Sequence, residues 1–353
     1  MSKRILIVNP FGIGDVLFTT PLVRALKDNL PGVSIGYWCN QRVSGLLRLN
    51  TKIDRIFALS RGDLKKKSKL EAAKSFLALV SALKKEKFDT AFDFSLDHRY
   101  GLLTKLIGVK RRIGYDYRNR GRFLTERIDL DGYADKHIIE YYLDLLKITD
   151  IIAQDRRMEL SVPQELKSKA IDLLSPVRSK SGRLVGILPG AGASWGKDAH
   201  FKHWPAAKFG QLADCLIKEF RAQVVLLGDQ SEKQIGEVLI KNSHSEALNL
   251  IGRTSIGELT AVINELDLLI TNDGGPLHIA VALGKKTISF FGPVDTKVYG
   301  PYPADTGRHI VLEKGLDCSP CYTKFRLVPC QRNRECLEKI DVKEALEGGR
   351  RLL

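Results

Sequence analysis

A carboxylate stands just after the first apolar run of the chain, where an incoming ligand could reach it. Residues 5–8 predict a strand, and the turn after it contains Gly12, Gly14 and Asp15. In an open parallel sheet, ligands collect at the carboxyl ends of the strands, and glycines let the backbone approach them. Asp15 could take the proton of an attacking hydroxyl group, or it could simply cap the following helix. Because this is not the three-glycine dinucleotide fingerprint, a nicotinamide cofactor has little support.

Residues 268–280, LLITNDGGPLHIA, form the most distinctive stretch of the chain. An apolar strand would deliver Asp273 to its carboxyl end, and Gly274 and Gly275 would turn the backbone into a helix with His278 in its first turn. The free amides and the dipole at a helix N-terminus both favour a phosphate group. For His278 the alternative is a purely structural place in the helix.

A second glycine-rich turn follows the strand predicted at residues 184–188. It contains Gly190, and Lys197 and Lys202 come before the next helix. Free amides beside a lysine suit a diphosphate, although a tight turn alone would also account for the glycines. The GxxxxGK[ST] spacing is absent, which argues against a P-loop NTPase.

Four of the six cysteines crowd into the segment 318–336 with the spacing C-x2-C-x8-C-x5-C. Four thiols that open with C-x2-C suit a structural zinc or an iron–sulfur centre. The alternative is a set of reduced or paired thiols that stiffen a loop. The candidate metal ligands are Cys318, Cys321, Cys330 and Cys336.

Strand and helix patterns alternate along the whole chain, which predicts the α/β class with parallel sheets covered on both faces. A polar, turn-rich segment between residues 160 and 184 divides the series in two, so we expect two doubly wound domains, 1–160 and 161–353. The final helix could also pack back on the N-terminal domain. The predicted strands are residues 5–8, 34–38, 56–59 and 90–94 in the first domain, and 184–188, 223–227, 268–271 and 287–291 in the second.

The 353 residues carry a net charge of +15, and the excess is concentrated in residues 1–150, where 28 Lys and Arg oppose 17 Asp and Glu. Such a surface attracts a polyanion: nucleic acid, anionic lipid or a phosphorylated acceptor. The lysine run at 65–67 could equally just solvate a helix. Nucleic acid is disfavoured, because the basic clusters lack interleaved aromatic side chains of the RNP type and no recognisable binding motif is present. No membrane-spanning or signal sequence is evident, which predicts a cytoplasmic protein.

Taken together, the motifs resemble the heptosyltransferase-like glycosyltransferases, glycosyltransferase family 9. Four separated stretches match that family in order and cover nearly the whole chain. They are GIGD at 12–15 with TTP at 19–21, PG at 189–190 with KHWP at 202–205, DGGPLH at 273–278, and FGP at 291–293 with GPY at 300–302.

The resemblance implies a GT-B architecture, in which an N-terminal acceptor domain and a C-terminal nucleotide-sugar domain face a central cleft. It implies inverting transfer of a heptose from ADP-heptose to a lipopolysaccharide inner-core acceptor, with no cofactor or catalytic metal. By position, Asp15 is similar to the family's general base and Lys202 to the lysine that neutralises the diphosphate. Another nucleotide sugar, or a different glycan acceptor, is the alternative within the family.

The resemblance also assigns the remaining residues and the partners of the enzyme. The acceptor would be an anionic glycolipid, reached by electrostatic attachment to the inner face of the plasma membrane. The chain departs from the family at Gly274, where members often have Ser or Thr, and in a longer segment 193–201, which leaves Lys197 and Lys202 as rivals for the diphosphate. The implied donor-site residues are Gly190, Asp273, Gly274, Gly275 and His278, and the implied acceptor-site residues are Gly12, Gly14 and Thr19.

Overall fold

The computed structural model describes residues 3–60, 62, 68–178, 182–304 and 306–353. The chain divides into two compact units, unit 1 with residues 1–159 and unit 2 with residues 160–353. Each unit is built on a six-stranded sheet with helices between successive strands. The expectation of two doubly wound, Rossmann-like α/β domains is therefore confirmed.

The sheet of unit 1 is parallel throughout and has the order β3-β2-β1-β4-β5-β6. The order reverses between β1 and β4, and in such sheets the crevice outside the strand ends at this reversal is where ligands bind. The strands are β1 Arg4–Asn9, β2 Ser34–Cys39, β3 Arg55–Ala58, β4 Thr90–Asp93, β5 Arg111–Tyr117 and β6 Glu126–Leu130. The helices are α1 Ile13–Phe18, α2 Thr20–Asn29, α3 Gln41–Leu47, α4 Lys69–Lys85, α5 His98–Leu106 and α6 Ile138–Lys147.

The sheet of unit 2 repeats this plan with the order β12-β11-β10-β7-β8-β9, so its reversal lies between β7 and β10. Its strands are β7 Leu184–Leu188, β8 Gln223–Leu226, β9 Leu248–Asn249, β10 Leu268–Asn272, β11 Lys286–Phe290 and β12 His309–Leu312, and a small antiparallel hairpin adds β13 Tyr322–Thr323 and β14 Arg326–Leu327. The α-helices are α7 Gln164–Arg178, α8 Ala206–Phe220, α9 Lys233–Lys241, α10 Ile256–Glu265, α11 Gly275–Ala282, α12 Thr296–Tyr299, α13 Glu335–Glu338 and α14 Val342–Leu352. Two 3₁₀ segments are Ala193–Lys202 and Gln230–Glu232.

The last helix, α14, is part of the core of unit 2. Its small residues Gly348 and Gly349 let it lie close to Ile288 of β11 and Leu216 of α8, and Leu352 is buried in the same apolar cluster. The sequence had left open a return of this helix to the N-terminal domain; the structure instead packs it on the sheet of its own unit.

The sequence pattern also predicts one helix at about residues 16–30 and a long helix at about residues 64–87, and both have different bounds in the structure. The pattern at 16–30 belongs to two helices, α1 and α2, which are separated at Thr19. The long helix expected from residue 64 onward begins at Lys69, and residues 63–67 lie outside the described residues. No helix among the described residues is long and apolar enough to cross a membrane.

Candidate active site

In unit 1, Asp15 is held at the start of α1. Gly12 is the residue before the helix, and the Oδ2 atom of Asp15 accepts a hydrogen bond from its main-chain N–H at 3.0 Å. The side chain of Asn9, at the end of β1, donates to the main-chain oxygen of Asp15 at 3.0 Å and accepts from Phe11 N–H at 3.2 Å. Asp15 is half-buried. Asp15 therefore helps to cap α1 from the third position of the helix. Its carboxylate lies at the end of the sheet where the C-terminus of β1 is found.

The acceptor-site residues expected around Asp15 are not equivalent. Thr19 is fully buried. Its hydroxyl group donates to Val16 O at 2.7 Å and lies 2.9 Å from the Tyr37 hydroxyl group. Thr19 thus joins α1 to β2, and its role toward the acceptor stays a prediction. Gly12 is buried with an ordinary φ of −88°, and Gly14 is half-buried inside α1.

Sequence reasoning missed a second carboxylate in unit 1, that of Asp93 at the end of β4. Asp93 pairs in register with Val8 of β1, so it stands beside the reversal point of the sheet. Its Oδ1 atom accepts from Ser95 N–H at 2.9 Å, and burial raises the pKa of the carboxyl group to about 6. The sequence pattern that could have indicated Asp93 is FDFS at residues 92–95, an apolar strand that ends in an acidic residue. The same pattern also occurs in many turns where the acid has only a structural role.

Beyond the end of β5, unit 1 carries a group of exposed arginines. The Arg118 and Arg120 guanidinium groups lie over the Tyr117 ring, 5.0 and 5.7 Å from its centroid. Arg122 lies 5.1 Å from the centroid of Phe123. All three arginines are exposed. Rings that support guanidinium groups in this way leave their N–H donors available to an anion in solvent.

In unit 2, Asn272 fixes the loops on either side of the sheet reversal. This residue is fully buried at the end of β10. Its Nδ2 atom donates to Pro189 O at 2.7 Å and to Gly190 O at 3.2 Å, and its Oδ1 atom accepts from Trp204 N–H at 2.8 Å. One amide therefore ties together the turn after β7, the end of β10 and the segment that leads into α8. The sequence analysis did not single it out.

Lys202 and Asp273 form a buried ion pair at the same place. The Nζ atom of Lys202 is 2.6 Å from Oδ2 of Asp273, and the two side chains are 9% and 5% exposed. The ammonium group also lies 4.2 Å from the centroid of the Trp195 ring. Lys197 is exposed on the surface. Of the two rival lysines, the structure brings Lys202 to the Asp273 loop.

Close backbone packing explains two of the predicted glycines. A Cβ atom at Gly190 would lie 1.7 Å from Oε1 of Glu232, and one at Gly274 would lie 2.6 Å from Ala191 O. Glu232 is buried, which raises its pKa, and its carboxylate accepts from the N–H groups of Gly192 at 3.0 Å and Asp229 at 2.8 Å. A buried acid that no sequence pattern revealed thus shapes the glycine-rich turn.

The helix α11 begins at Gly275, directly after this loop, and its first turn contains the buried His278. Main-chain N–H groups in the first turn of a helix lack partners within the helix. The structure therefore gathers a buried cation and a helix N-terminus where β10 ends. Such a site can bind a diphosphate and stabilise its charge.

The clustered cysteines differ in their exposure. All six cysteines of the chain are free thiols. Cys336 packs against the core of unit 2, and its sulfur is so close to Gly292 that a Cβ atom added there would lie 3.0 Å from it. Cys318, in contrast, is exposed. Within the described ranges, no group of three or more His, Cys, Asp or Glu side chains is placed to hold a metal ion. The zinc or iron–sulfur site at these cysteines stays a prediction.

Comparison with known proteins agrees with this architecture. Residues 76–330 match the family model of Glycosyltransferase family 9 (heptosyltransferase). Lipopolysaccharide heptosyltransferase 2 of Escherichia coli (strain K12) is 26% identical over 306 residues, covering 82% of this chain and 83% of that protein.

Two solved structures share the fold. Glycosyl transferase family 9 from Veillonella parvula DSM 2008 has a TM-score of 0.82 at 21% identity, covering 99% of this chain and 97% of that one. E. coli ADP-heptose LPS heptosyltransferase II has a TM-score of 0.76 at 21% identity, covering 99% and 98%. Since the family match spans well over half of its residues, the chain belongs to glycosyltransferase family 9 and is a glycosyltransferase.

Proposed function

We propose that the protein transfers a heptose from ADP-heptose to the inner core of lipopolysaccharide by a single inverting displacement. The buried Lys202 ammonium group beside the N-terminus of α11 is the observation that carries this proposal. Departure of a nucleoside diphosphate places negative charge on a phosphate oxygen, and a preorganised cation with helix amides stabilises that charge. Two of the relatives named above, lipopolysaccharide heptosyltransferase 2 and ADP-heptose LPS heptosyltransferase II of E. coli, support the sugar and the acceptor.

In the reaction, a hydroxyl group of the acceptor attacks the anomeric carbon of the heptose. The bond from that carbon to the β-phosphate oxygen breaks, and ADP leaves with both bonding electrons. Asp15 takes the proton of the attacking hydroxyl group, and Lys202 faces the departing diphosphate. One displacement at the anomeric carbon inverts its configuration.

The donor is assigned to unit 2. Asn272 and Glu232 hold the turn that contains Gly190, and Gly274 and Gly275 lead into the N-terminus of α11, whose main-chain N–H groups would face the diphosphate. Asp273 positions Lys202, and its carboxylate can also accept hydrogen bonds from sugar hydroxyl groups. No cofactor is assigned to the reaction, and the cysteine segment is proposed to stay in the thiol state, which elemental analysis of the purified protein checks.

The acceptor is assigned to unit 1. The exposed Arg118, Arg120 and Arg122 suit phosphate groups of an anionic glycolipid, because a guanidinium group can offer two parallel donors to two phosphate oxygens. An enzyme with such an acceptor works at the cytoplasmic face of the membrane that carries it. We place the protein there as a peripheral enzyme.

A donor panel tests the proposal most directly. ADP and ADP-heptose should raise the melting temperature of the protein, whereas UDP, GDP and CMP at the same concentration should leave it nearly unchanged. Transfer is then followed as ADP release with ADP-heptose and heptose-deficient lipopolysaccharide. A larger shift with another nucleotide would replace ADP-heptose as the donor, and would favour the alternative of a family 9 enzyme with a different sugar.

A further inference from the structure

The helix α4 of unit 1 has apolar side chains on both of its faces. Leu79 and Leu83 are buried in a cluster with Trp38 and Phe88. On the opposite side, Leu70 and Leu77 are 66% and 63% exposed. A surface helix normally turns its leucines inward and leaves charged residues outside, so the two outer leucines are not explained by the fold of unit 1.

The two outer leucines share one face and are surrounded by positive charge. They are seven residues apart, which is close to two helical turns. Lys74, Lys84 and Lys85 are exposed around them. The one acidic residue of α4 is Glu71, in the first turn, where its carboxylate accepts from Ser68 N–H. Over the rest of its length the outer face carries lysines, apolar residues and the uncharged Ser81.

The sequence before α4 adds to this charge with the lysine run at 65–67, and Lys69 is exposed at the first position of the helix. A helix that combines exposed leucines with flanking lysines is suited to the interface of a bilayer. There the leucines enter the boundary of the acyl chains, while the lysines extend to lipid phosphates. The same lysines disfavour a second copy of the chain as the occupant, because two copies would bring like charges together.

We propose that the outer face of α4 docks the enzyme on an anionic lipid surface, with Leu70 and Leu77 inserted and Lys74, Lys84 and Lys85 near the headgroups. The proposal rests on the proposed function in one respect: an acceptor built on a lipid is confined to that surface. Attachment would bring unit 1 to its substrate without a spanning helix, and attraction to an anionic leaflet would weaken with salt.

The test is co-sedimentation of the full chain with vesicles of phosphatidylglycerol and phosphatidylethanolamine, compared with vesicles of phosphatidylcholine. We expect binding to the anionic vesicles only, with release near ~0.5 M salt. The L70S/L77S variant should bind at least about tenfold more weakly, and K84Q/K85Q about tenfold more weakly. A matched control is V238S/I240S, which removes two exposed apolar side chains from α9 of unit 2 and should bind as the parent does.

Melting temperatures of all three variants should equal that of the parent, since the altered side chains are exposed. Parent-like binding by L70S/L77S, equal binding to neutral vesicles, or no vesicle binding at all would overturn the proposal. A change of oligomeric state in L70S/L77S on size exclusion would assign the face to a second copy instead. Vesicle binding needs no substrate, so its failure leaves the donor panel, and hence the proposed function, untouched.

Discussion

At the scale of single residues, Asp15 carries the sharpest assignment. Asp15→Asn should lower turnover by at least about a hundredfold, because the amide cannot take a proton from the acceptor. Its side-chain oxygen can still accept from Gly12 N–H, the bond that Oδ2 makes at 3.0 Å, so the fold and donor binding should persist. The measurement is the rate of ADP release beside the ADP-induced melting shift.

The control for this variant is Asp28→Asn, which changes an exposed aspartate on α2. It should keep parental turnover. Near-normal turnover in Asp15→Asn itself would move the role of general base to another group. Asp93 would then be the first residue to examine, since it ends the neighbouring strand β4.

Lys202 makes a different prediction, because it is both a ligand group and half of a buried ion pair. Lys202→Ala should weaken ADP binding and turnover together, and it should also lower stability by about 3–5 kcal/mol, since Asp273 is left buried without its cation. The double variant K202A/D273N removes the orphaned charge, so its melting temperature should recover while ADP binding stays weak. Calorimetric titration with ADP and thermal melts separate the two effects.

Lys197→Ala is the matched comparison, since this lysine is exposed. It should change ADP affinity and melting temperature little. If Lys197→Ala instead weakened ADP binding more than Lys202→Ala, the diphosphate would belong to Lys197, and the buried pair would be a purely structural feature of the loop.

At the scale of elements, the strand β4 ends in a carboxyl group that folding makes less acidic. The pKa of Asp93 is about 6 in the fold because the group is buried, against about 4 for an unfolded chain. The folded state therefore holds this proton more tightly, and the contribution of Asp93 to stability falls as the pH rises from about 4 to about 6. The full loss amounts to about 3 kcal/mol.

Asp93→Asn imitates the protonated form and keeps an acceptor for Ser95 N–H. The variant should therefore be more stable relative to the parent at pH 7.5 than at pH 4.5. The difference between their free energies of unfolding should grow by up to about 3 kcal/mol between these pH values. Urea unfolding of both proteins at both pH values gives the variant-minus-parent difference at each pH. Comparing these two differences cancels the titration of all groups that the proteins share. An equal difference at the two pH values would mean that Asp93 is ionised and solvated throughout.

The elements also show how far the sequence could predict this fold. Seven of the eight strands it predicted lie inside the two sheets, where continuous apolar runs are buried on both faces, and the eighth, β3, is an edge strand. The strands it missed are β5, β6, β9 and β12, together with the short hairpin strands β13 and β14. Of these, β6, β9 and β12 are sheet edges. The edge strand β6, Glu126–Leu130, alternates partly buried and exposed side chains over most of its length and has only two apolar residues. Nothing in such a pattern distinguishes an edge strand from a polar loop.

The residues of the candidate site also differ in whether the sequence could reveal them. Lys202, Asp273 and the glycines of the donor loop could be found because their spacing along the chain is distinctive. Asn272 and Glu232 could not, since their roles depend on main-chain atoms 40 or more residues away in sequence. The burial of Thr19 could not be predicted either, because a hydroxyl group near a glycine-rich turn gives no sign of its own burial. The cysteine spacing predicts neighbouring thiols but not their burial: Cys336 packs against the core of unit 2, whereas Cys318 is exposed.

At the scale of the whole molecule, each unit has its own sheet and its own enclosed core. The core of unit 2 runs from Val185 of β7 to Leu352 of α14, and all of its members lie within residues 160–353. Every residue assigned to the donor is in unit 2, whereas Asp15 and the exposed arginines are in unit 1. Donor binding and catalysis should therefore be separable by cutting the chain at the boundary between the units.

Residues 160–353 expressed alone should melt cooperatively and should be stabilised by ADP, by about 2.7 kcal/mol when the nucleotide is at 100 times its Kd. The fragment should show no transfer, because the base and the acceptor surface are absent. Residues 1–159 alone should fold without responding to ADP. A fragment 160–353 that melts cooperatively but ignores ADP would show that the donor site needs groups from unit 1, and the assignment of Lys202 and the α11 N-terminus as a complete diphosphate site would then be wrong.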